Sequence, residues 1–89
     1  FAGTKVTNGY QRLPGGLIIQ WATGNASNGA GASNNFPIAF PTACLAIVAT
    51  HQGTDGTVNI ITSALSATGV VFITNYAGTA TAVYIALGF

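Results

Sequence analysis

Apolar residues occur along this chain in short runs, and turn-forming residues separate the runs. The strongest runs cover residues 17–22, 44–50, 58–63, 70–75 and 80–87. No apolar stripe with the 3.6-residue period of a helix persists over two turns. Runs rich in β-branched and aromatic residues, bounded by Gly, Pro, Asn and Asp, are typical of strands. The pattern therefore predicts an all-β domain, a small antiparallel β-sandwich-like fold.

The stretches between these runs are predicted to be loops and turns. Residues 23–35 are rich in Asn, Ser and Gly, and we expect them to form one long polar loop. Pro37 and Pro41 cannot donate to a sheet, so residues 36–40 are expected at a sheet edge or as an irregular wrap. Residues 51–57 contain Asp-Gly, a favoured hairpin pair, and are predicted to turn the chain.

The chain should bend sharply before its first strand. Pro14 pushes Leu13 toward an extended conformation, and Gly15 and Gly16 allow a bend that a Cβ would hinder. We assign residues 1–13 to a linker or the end of a preceding segment, and residues 14–89 to one small domain.

Composition adds an expectation of self-association. Only Lys5, Arg12 and Asp55 carry full charge, which is 3% of the 89 residues, while 49% are hydrophobic. A typical soluble domain is about 25% charged. Because no run reaches the roughly 20 apolar residues of a membrane-spanning helix, we expect no such helix. Close packing of identical chains into a closed oligomer is the better explanation.

The last run shows which surfaces could pack. Its Val83, Ile85 and Leu87 alternate with a second row of side chains, in which Tyr84 lies between two alanines. Both rows are apolar, so one is expected inside the subunit and the other against a neighbour. The small alanines suit close approach near a symmetry axis.

Three motifs, in order, resemble one family. Residues 9–21 read Gly-Tyr-Gln-Arg-Leu-Pro-Gly-Gly-Leu-Ile-Ile-Gln-Trp, residues 36–41 read Phe-Pro-Ile-Ala-Phe-Pro, and residues 84–89 read Tyr-Ile-Ala-Leu-Gly-Phe. Together they resemble the C-terminal domain of bacteriophage and prophage tail-fibre proteins. The family usually has Gly directly after the tryptophan, whereas this chain has Ala22 there.

The resemblance implies a homotrimeric tip domain, intertwined or closely packed, at the distal end of a virion tail fibre. Its implied partners are other copies of itself and a host outer-membrane glycan or protein, with lipopolysaccharide the leading class. Such a fibre would be made in the cytoplasm of the bacterial host, where an assembly chaperone is a candidate partner. The alternative is a structural trimerisation and capping module, with recognition carried elsewhere.

Catalytic and cofactor chemistry is not expected. General acid–base catalysis needs carboxylates or a paired histidine, and this chain offers one Asp55 and one His51 within a single turn. No cofactor and no metal site are predicted, although three copies of His51 around an axis could meet at a metal. Cys44 lies in an apolar run and is expected as a buried thiol. A net charge of +1 is too small for nucleic-acid binding. A fibre-borne glycan hydrolase therefore remains the weaker reading.

Receptor contacts are expected from loops and turns. Asparagine amides offer the donors and acceptors that suit sugar hydroxyls, and an exposed aromatic ring can stack on a sugar. Trp21 is instead predicted to be a core residue, and Tyr84 a core or interface residue. The candidate receptor-binding residues are His51, Gln52, Asp55, Asn25, Asn28, Asn34, Asn35, Asn75 and Tyr76.

Overall fold

The computed structural model describes residues 8–53 and 57–89. Its strands are β1 Gly9–Arg12, β2 Ile18–Ser27, β3 Ala32–Asn35, β4 Cys44–His51, β5 Ile60–Ser63, β6 Gly69–Thr74 and β7 Thr79–Gly88. They are hydrogen-bonded in the order β3-β6-β2-β7-β4, with β1 on β2 and β5 on β6. Within the described ranges every pairing is antiparallel except one β2–β6 contact, between Ser27 and Ile73. The all-β prediction is therefore confirmed.

Strands β2 and β7 form the centre of the sheet. They pair without interruption over ten residues each, from Ile18 opposite Gly88 to Ser27 opposite Thr79. This pairing overturns the expectation of a loop over residues 23–35, because residues 23–27 continue β2 and residues 32–35 form β3. Neither segment has strong strand propensity, but a partner strand overrides weak propensity. The true connection is residues 28–31, with positive φ at Gly29 and Gly31.

The sheet folds over one core. Alternate residues of β2 and β7 face inward, and Phe72 of β6 packs on them from the other side. The ring of Phe72 lies 5.4 Å from that of Tyr84, at an angle of 56°. The inward-facing core members are Ile18, Ala22, Ala26, Phe36, Phe40, Val70, Phe72, Ala82, Tyr84 and Ala86. Strands β4 and β5, at opposite ends of the pairing order, approach each other and close the structure.

The alanine row of β7 is therefore part of the subunit core. Ala82 and Ala86 have no exposed surface, and Tyr84 is 2% exposed. The expectation that this row meets a symmetry axis is wrong, because Phe72 and Phe36 already cover it. Trp21 is also placed differently from the prediction: it lies half-buried on the opposite side of the sheet, next to Ile85 in the register.

Residues 36–41, hereafter the strap, cross the core without forming a strand, as the two prolines predicted. The fully buried Gln20 fastens the strap to β2. Its Nε2 donates to the carbonyl of Ile38 at 2.8 Å, and the Ile38 N–H donates to its Oε1 at 2.9 Å. Phe36 and Phe40 turn inward on either side, with ring centroids 5.2 Å apart. The Gln20 side chain thus supplies the main-chain hydrogen bonds that a paired strand would otherwise give to the strap.

The end of β7 is clamped by the residues that follow the strap. The Thr42 and Ala43 N–H groups donate to the Phe89 carbonyl at 2.7 and 2.8 Å, and the Phe89 N–H donates to Ala43 at 3.0 Å. Gly88 makes this approach possible, because a Cβ there would lie 2.3 Å from the Ala43 oxygen. The glycine of the closing motif, Gly88, is therefore required by the close packing of β7 against Ala43.

The predicted bend is confirmed as a short 3-10 turn at Pro14–Gly16. Leu13 is extended, with φ −115° and ψ 162°, and Gly15 has a φ of 83°. The turn joins β1 to β2, which pair from Gly9 opposite Trp21 to Arg12 opposite Ile18. Part of the stretch assigned to a linker is therefore integral to the sheet.

Candidate functional site

The topology gathers polar candidates at one end of the sheet. β2, β4 and β6 all end there, and β7 begins there, because β2 and β6 run parallel and β7 is antiparallel to both β2 and β4. We call this region the end surface. Its residues are Asn25, Asn28, His51, Gln52, Asn75 and Tyr76, of which all but His51 are exposed. Residues far apart in sequence thus meet on one surface.

The carbonyl of Thr81 accepts hydrogen bonds from the residues on the β4 side of the end surface. It accepts a hydrogen bond from the Gln52 N–H and another from the imidazole of His51, each at 3.0 Å. A carbonyl oxygen can only accept, so Nδ1 of His51 carries a proton and donates this bond. Gly53 packs against the other ring nitrogen, Nε2, where a Cβ would lie 2.5 Å away. His51 is therefore held in one orientation, while the Gln52 side chain projects from the edge.

Thr74 organises the β6 side. Its carbonyl accepts from the Asn28 side chain at 3.2 Å, and its hydroxyl accepts from the Tyr76 N–H at 3.2 Å. Thr74 itself is buried, at 2% exposed, whereas Tyr76 is 47% exposed. Gly78 lies beside the Tyr76 ring, which a Cβ would approach to 3.2 Å. The ring is thus the large exposed aromatic of this surface.

Asn75 and Asn59 bridge β6 and the start of β5. Each side-chain oxygen accepts from the other residue's N–H, at 2.9 and 3.1 Å, and the Asn75 amide also donates to Thr57 at 3.0 Å. Asn59 was missed from the sequence, because it lies at the edge of an apolar run and pairs with a residue 16 positions away. Asn75 therefore shapes the Tyr76 turn more than it offers a free amide.

Asn34 and Asn35 lie on β3, opposite Val70 and Gly69 at the start of β6, and the Asn34 side chain reaches the main chain of Asn25. The Asn34 side chain bridges β2 and β3. Its Oδ1 accepts a hydrogen bond from the Asn25 N–H at 3.0 Å, and its Nδ2 donates to the carbonyls of Asn25 and Ala32. Its amide is thereby committed to structure. The carbonyl of Asn35 receives a long bond from the Tyr84 hydroxyl at 3.5 Å.

The remaining chemistry of the described ranges is sparse. Asp55 lies outside the described residues. In residues 8–53 and 57–89, no group of three or more His, Cys, Asp or Glu side chains could hold a metal ion. In that same part of the chain, no helix is long and apolar enough to cross a membrane. Cys44 is partly buried, and this burial raises the pKa of its thiol. Burial likewise raises the pKa of Tyr84.

An all-β sheet closed over one small core, with exposed polar turns at one end, defines the class of this protein as a small all-β domain. Residues 12–89 match the C-terminal domain of the gp53-like tail fibre proteins, and the chain belongs to that family. No curated protein matches the chain.

Solved structures of pyocin fibres share the fold. A C-terminal fragment of the R2 pyocin fibre of P. aeruginosa is 26% identical with a TM-score of 0.87, over 99% of this chain and 25% of that one. An N-truncated R2-type pyocin tail fibre is 28% identical with a TM-score of 0.85, over 99% and 37%. An N-truncated R1-type fibre is 27% identical with a TM-score of 0.75, over 99% and 84%. This chain thus spans 25% and 37% of the two R2 fibre fragments. It is a tail-fibre domain, a component of a phage or phage-like particle.

Proposed function

We propose that this domain attaches a tail fibre to a host cell by binding a surface glycan, with lipopolysaccharide the leading class. The single observation that carries the proposal is the end surface, where an exposed aromatic ring lies among exposed amides. Stacking on a ring and hydrogen bonds from amides are the two contacts that sugars offer. Family membership supports the setting, since a tail fibre must contact its host.

The rigidity of the end surface supports the same function. The imidazole of His51 and the main chain of Tyr76 are each hydrogen-bonded to a threonine, so the His51 ring and the Tyr76 turn are held before any ligand arrives. Binding then loses little conformational freedom, which favours weak polar ligands. The proposal includes no catalysis: the domain binds the glycan and leaves it intact.

We further propose that the fibre presents this surface in three copies, on a homotrimer at its distal tip. A single sugar site formed by one tyrosine and a few amides would bind weakly. Three linked sites on a repetitive glycan gain affinity by raising the effective concentration of each further contact. Surface polysaccharide is repetitive, so the arrangement suits the ligand.

A cell-binding assay tests the proposal. Fluorescently labelled domain should bind some Gram-negative strains, and binding should fall when their lipopolysaccharide is truncated by mutation. Tyr76→Ala and Gln52→Ala should each weaken binding about tenfold, which corresponds to about 1.4 kcal/mol. Ser63→Ala, an exposed change on β5, is the matched control and should leave binding unchanged.

The opposite outcomes are equally clear. If both end-surface variants bind like the parent, the end surface is not the receptor site. Sugar released from envelope polysaccharide during long incubation would show a hydrolase instead of an adhesin.

The second candidate function is a structural cap that locks the fibre. The observation that favours it is the clamp of Phe89 under residues 42–43, which leaves the end of β7 tightly paired. A pure cap predicts no binding to any cell, and fibres that fall apart when Gly88 is changed to Ala.

A further inference from the structure

The side of the central sheet that faces away from the core has apolar side chains at its centre and polar residues at its margins. We call it the outer face, and it consists of the outward residues of β1, β2, β7 and β4. The register places Ile85 at its centre, between Trp21 of β2 and Val48 of β4. Val48 is 72% exposed and Ile85 is 52% exposed. Ile19 and Leu87 extend the same rows toward the Phe89 end.

We infer that the outer face is the surface by which each chain packs against other copies of itself. This inference rests on the proposed assembly of identical chains and names the residues that carry it. The face is apolar at its centre and becomes polar toward the end surface, where Thr23, Thr50 and Thr81 occupy the outward positions. An apolar centre bordered by polar residues is the usual anatomy of a subunit interface.

Its size fits an interface. Two strands of ten residues, one of eight and one of four give a sheet plane on the order of 500 Å² at about 3.4 Å per residue and 4.8 Å per strand. Projecting side chains expose more area than the plane beneath them. Phe89, which is 40% exposed and follows the outward Leu87 by two positions, adds apolar surface at the margin. The total approaches the roughly 800 Å² per partner of a stable association.

Charge identifies the occupant as another copy. Arg12 is the one fully charged side chain within the described ranges, and the register places it on the other side of the sheet, opposite Ile18, with its guanidinium carbon 5.8 Å from the Tyr10 ring centroid. The face therefore has no charge pattern that would select a different protein. With 3% charged residues, the chain also lacks the repulsion that keeps identical molecules apart.

Two isoleucines provide a matched test. Ile85 on the outer face and Ile61 on β5 are 52% and 51% exposed, so a lysine at either position costs the single chain about the same. The parent should scatter light as a whole-number multiple of 8.9 kDa. Ile85→Lys should reduce the mass to that of one chain, and Ile61→Lys should leave the multiple unchanged. Val48→Lys, on the more exposed strand β4, should act like Ile85→Lys and covers the case in which Ile85→Lys fails to fold.

The sole tryptophan reports on the same surface. Trp21 should be quenched weakly by acrylamide in the parent and in Ile61→Lys, and several-fold more strongly in Val48→Lys with an unchanged circular dichroism spectrum.

The outcomes separate the two proposals. A parent mass of 8.9 kDa would remove the assembly and this inference together. A parent that is oligomeric, with folded Val48→Lys and Ile85→Lys variants of the same mass, would overturn the outer face alone. So would dissociation by Ile61→Lys only.

Discussion

Gln20→Leu is the substitution whose effect follows most directly from the structure. Leucine keeps the approximate volume of the side chain but removes both hydrogen bonds to Ile38, at 2.8 and 2.9 Å. Gln20 is fully buried, so water cannot reach the site from its side. The Ile38 N–H and carbonyl would lose their partners while the strap stays packed.

The magnitude comes from these two groups. A buried polar group left without a partner costs about 1–3 kcal/mol, and Ile38 is only partly buried, so each of its two groups is expected to cost about 1.5 kcal/mol. The added apolar burial of leucine offsets about 1 kcal/mol. We therefore expect the free energy of unfolding to fall by about 2 kcal/mol. For a domain of this size that lowers Tm by roughly 8–16 °C.

Urea unfolding followed by Trp21 fluorescence measures this loss. Protein concentrations must be equal, because the proposed assembly would make the apparent stability concentration-dependent. Gln52→Leu is the control: its side chain is exposed, and a change there should stay within about 0.5 kcal/mol. A Gln20→Leu variant within about 0.5 kcal/mol of the parent would refute the reasoning, since Phe36 and Phe40 alone would then hold the strap.

The remaining predictions concern one residue each. Gly88→Ala should destabilise the domain by more than about 2 kcal/mol in urea unfolding, because its Cβ would meet a main-chain oxygen. Gly78→Ala is the control and should lower the stability much less, because its Cβ would face only the movable ring of Tyr76. Equal losses in the two variants would contradict the clamp. Asn34→Ala should cost about 0.5–1.5 kcal/mol by removing its bonds to the exposed main-chain groups of Asn25, and hydrogen exchange at the Asn25 amide should accelerate. Cys44 should be alkylated more slowly at pH 8 than a free thiol, with a rate midpoint shifted to higher pH because burial raises its pKa; a downward shift would contradict this.

Gln20→Glu adds a pH dependence whose sign is fixed by the site. The carboxylate would be buried facing the Ile38 carbonyl, which raises its folded pKa above the usual value of about 4.3. Protonation restores a donor toward that carbonyl. The variant should therefore be most stable at low pH and lose stability as pH rises through the folded pKa. Stability that rises with pH relative to the parent would contradict the arrangement of Gln20.

The sequence predicts local features of this fold well. Alternating β-branched and aromatic runs identified the regions of β4, β6 and β7, and Pro14 with two glycines identified the first turn. These signals are local, because each depends on the conformational preference of the residues themselves.

The features that failed depend on distant partners. Residues 23–27 look like loop, yet β7 supplies their hydrogen bonds. Trp21 looks like core, but the register turns it outward, and no local pattern states which of two apolar sides is covered. For the same reason, the sequence identifies asparagines as candidate binding residues but does not show which of them bond to the main chain and which lie at the end surface. Only the structure shows that Asn34 is committed to the main chain while Asn28 lies at the end surface.

Direct binding to purified lipopolysaccharide tests the central claim most sharply. The domain should bind at least one member of a panel of immobilised lipopolysaccharides, and Tyr76→Ala should weaken that binding about tenfold without changing the oligomer mass. Binding to no member of the panel, or binding that is unchanged in Tyr76→Ala and Gln52→Ala, would contradict glycan recognition by the end surface.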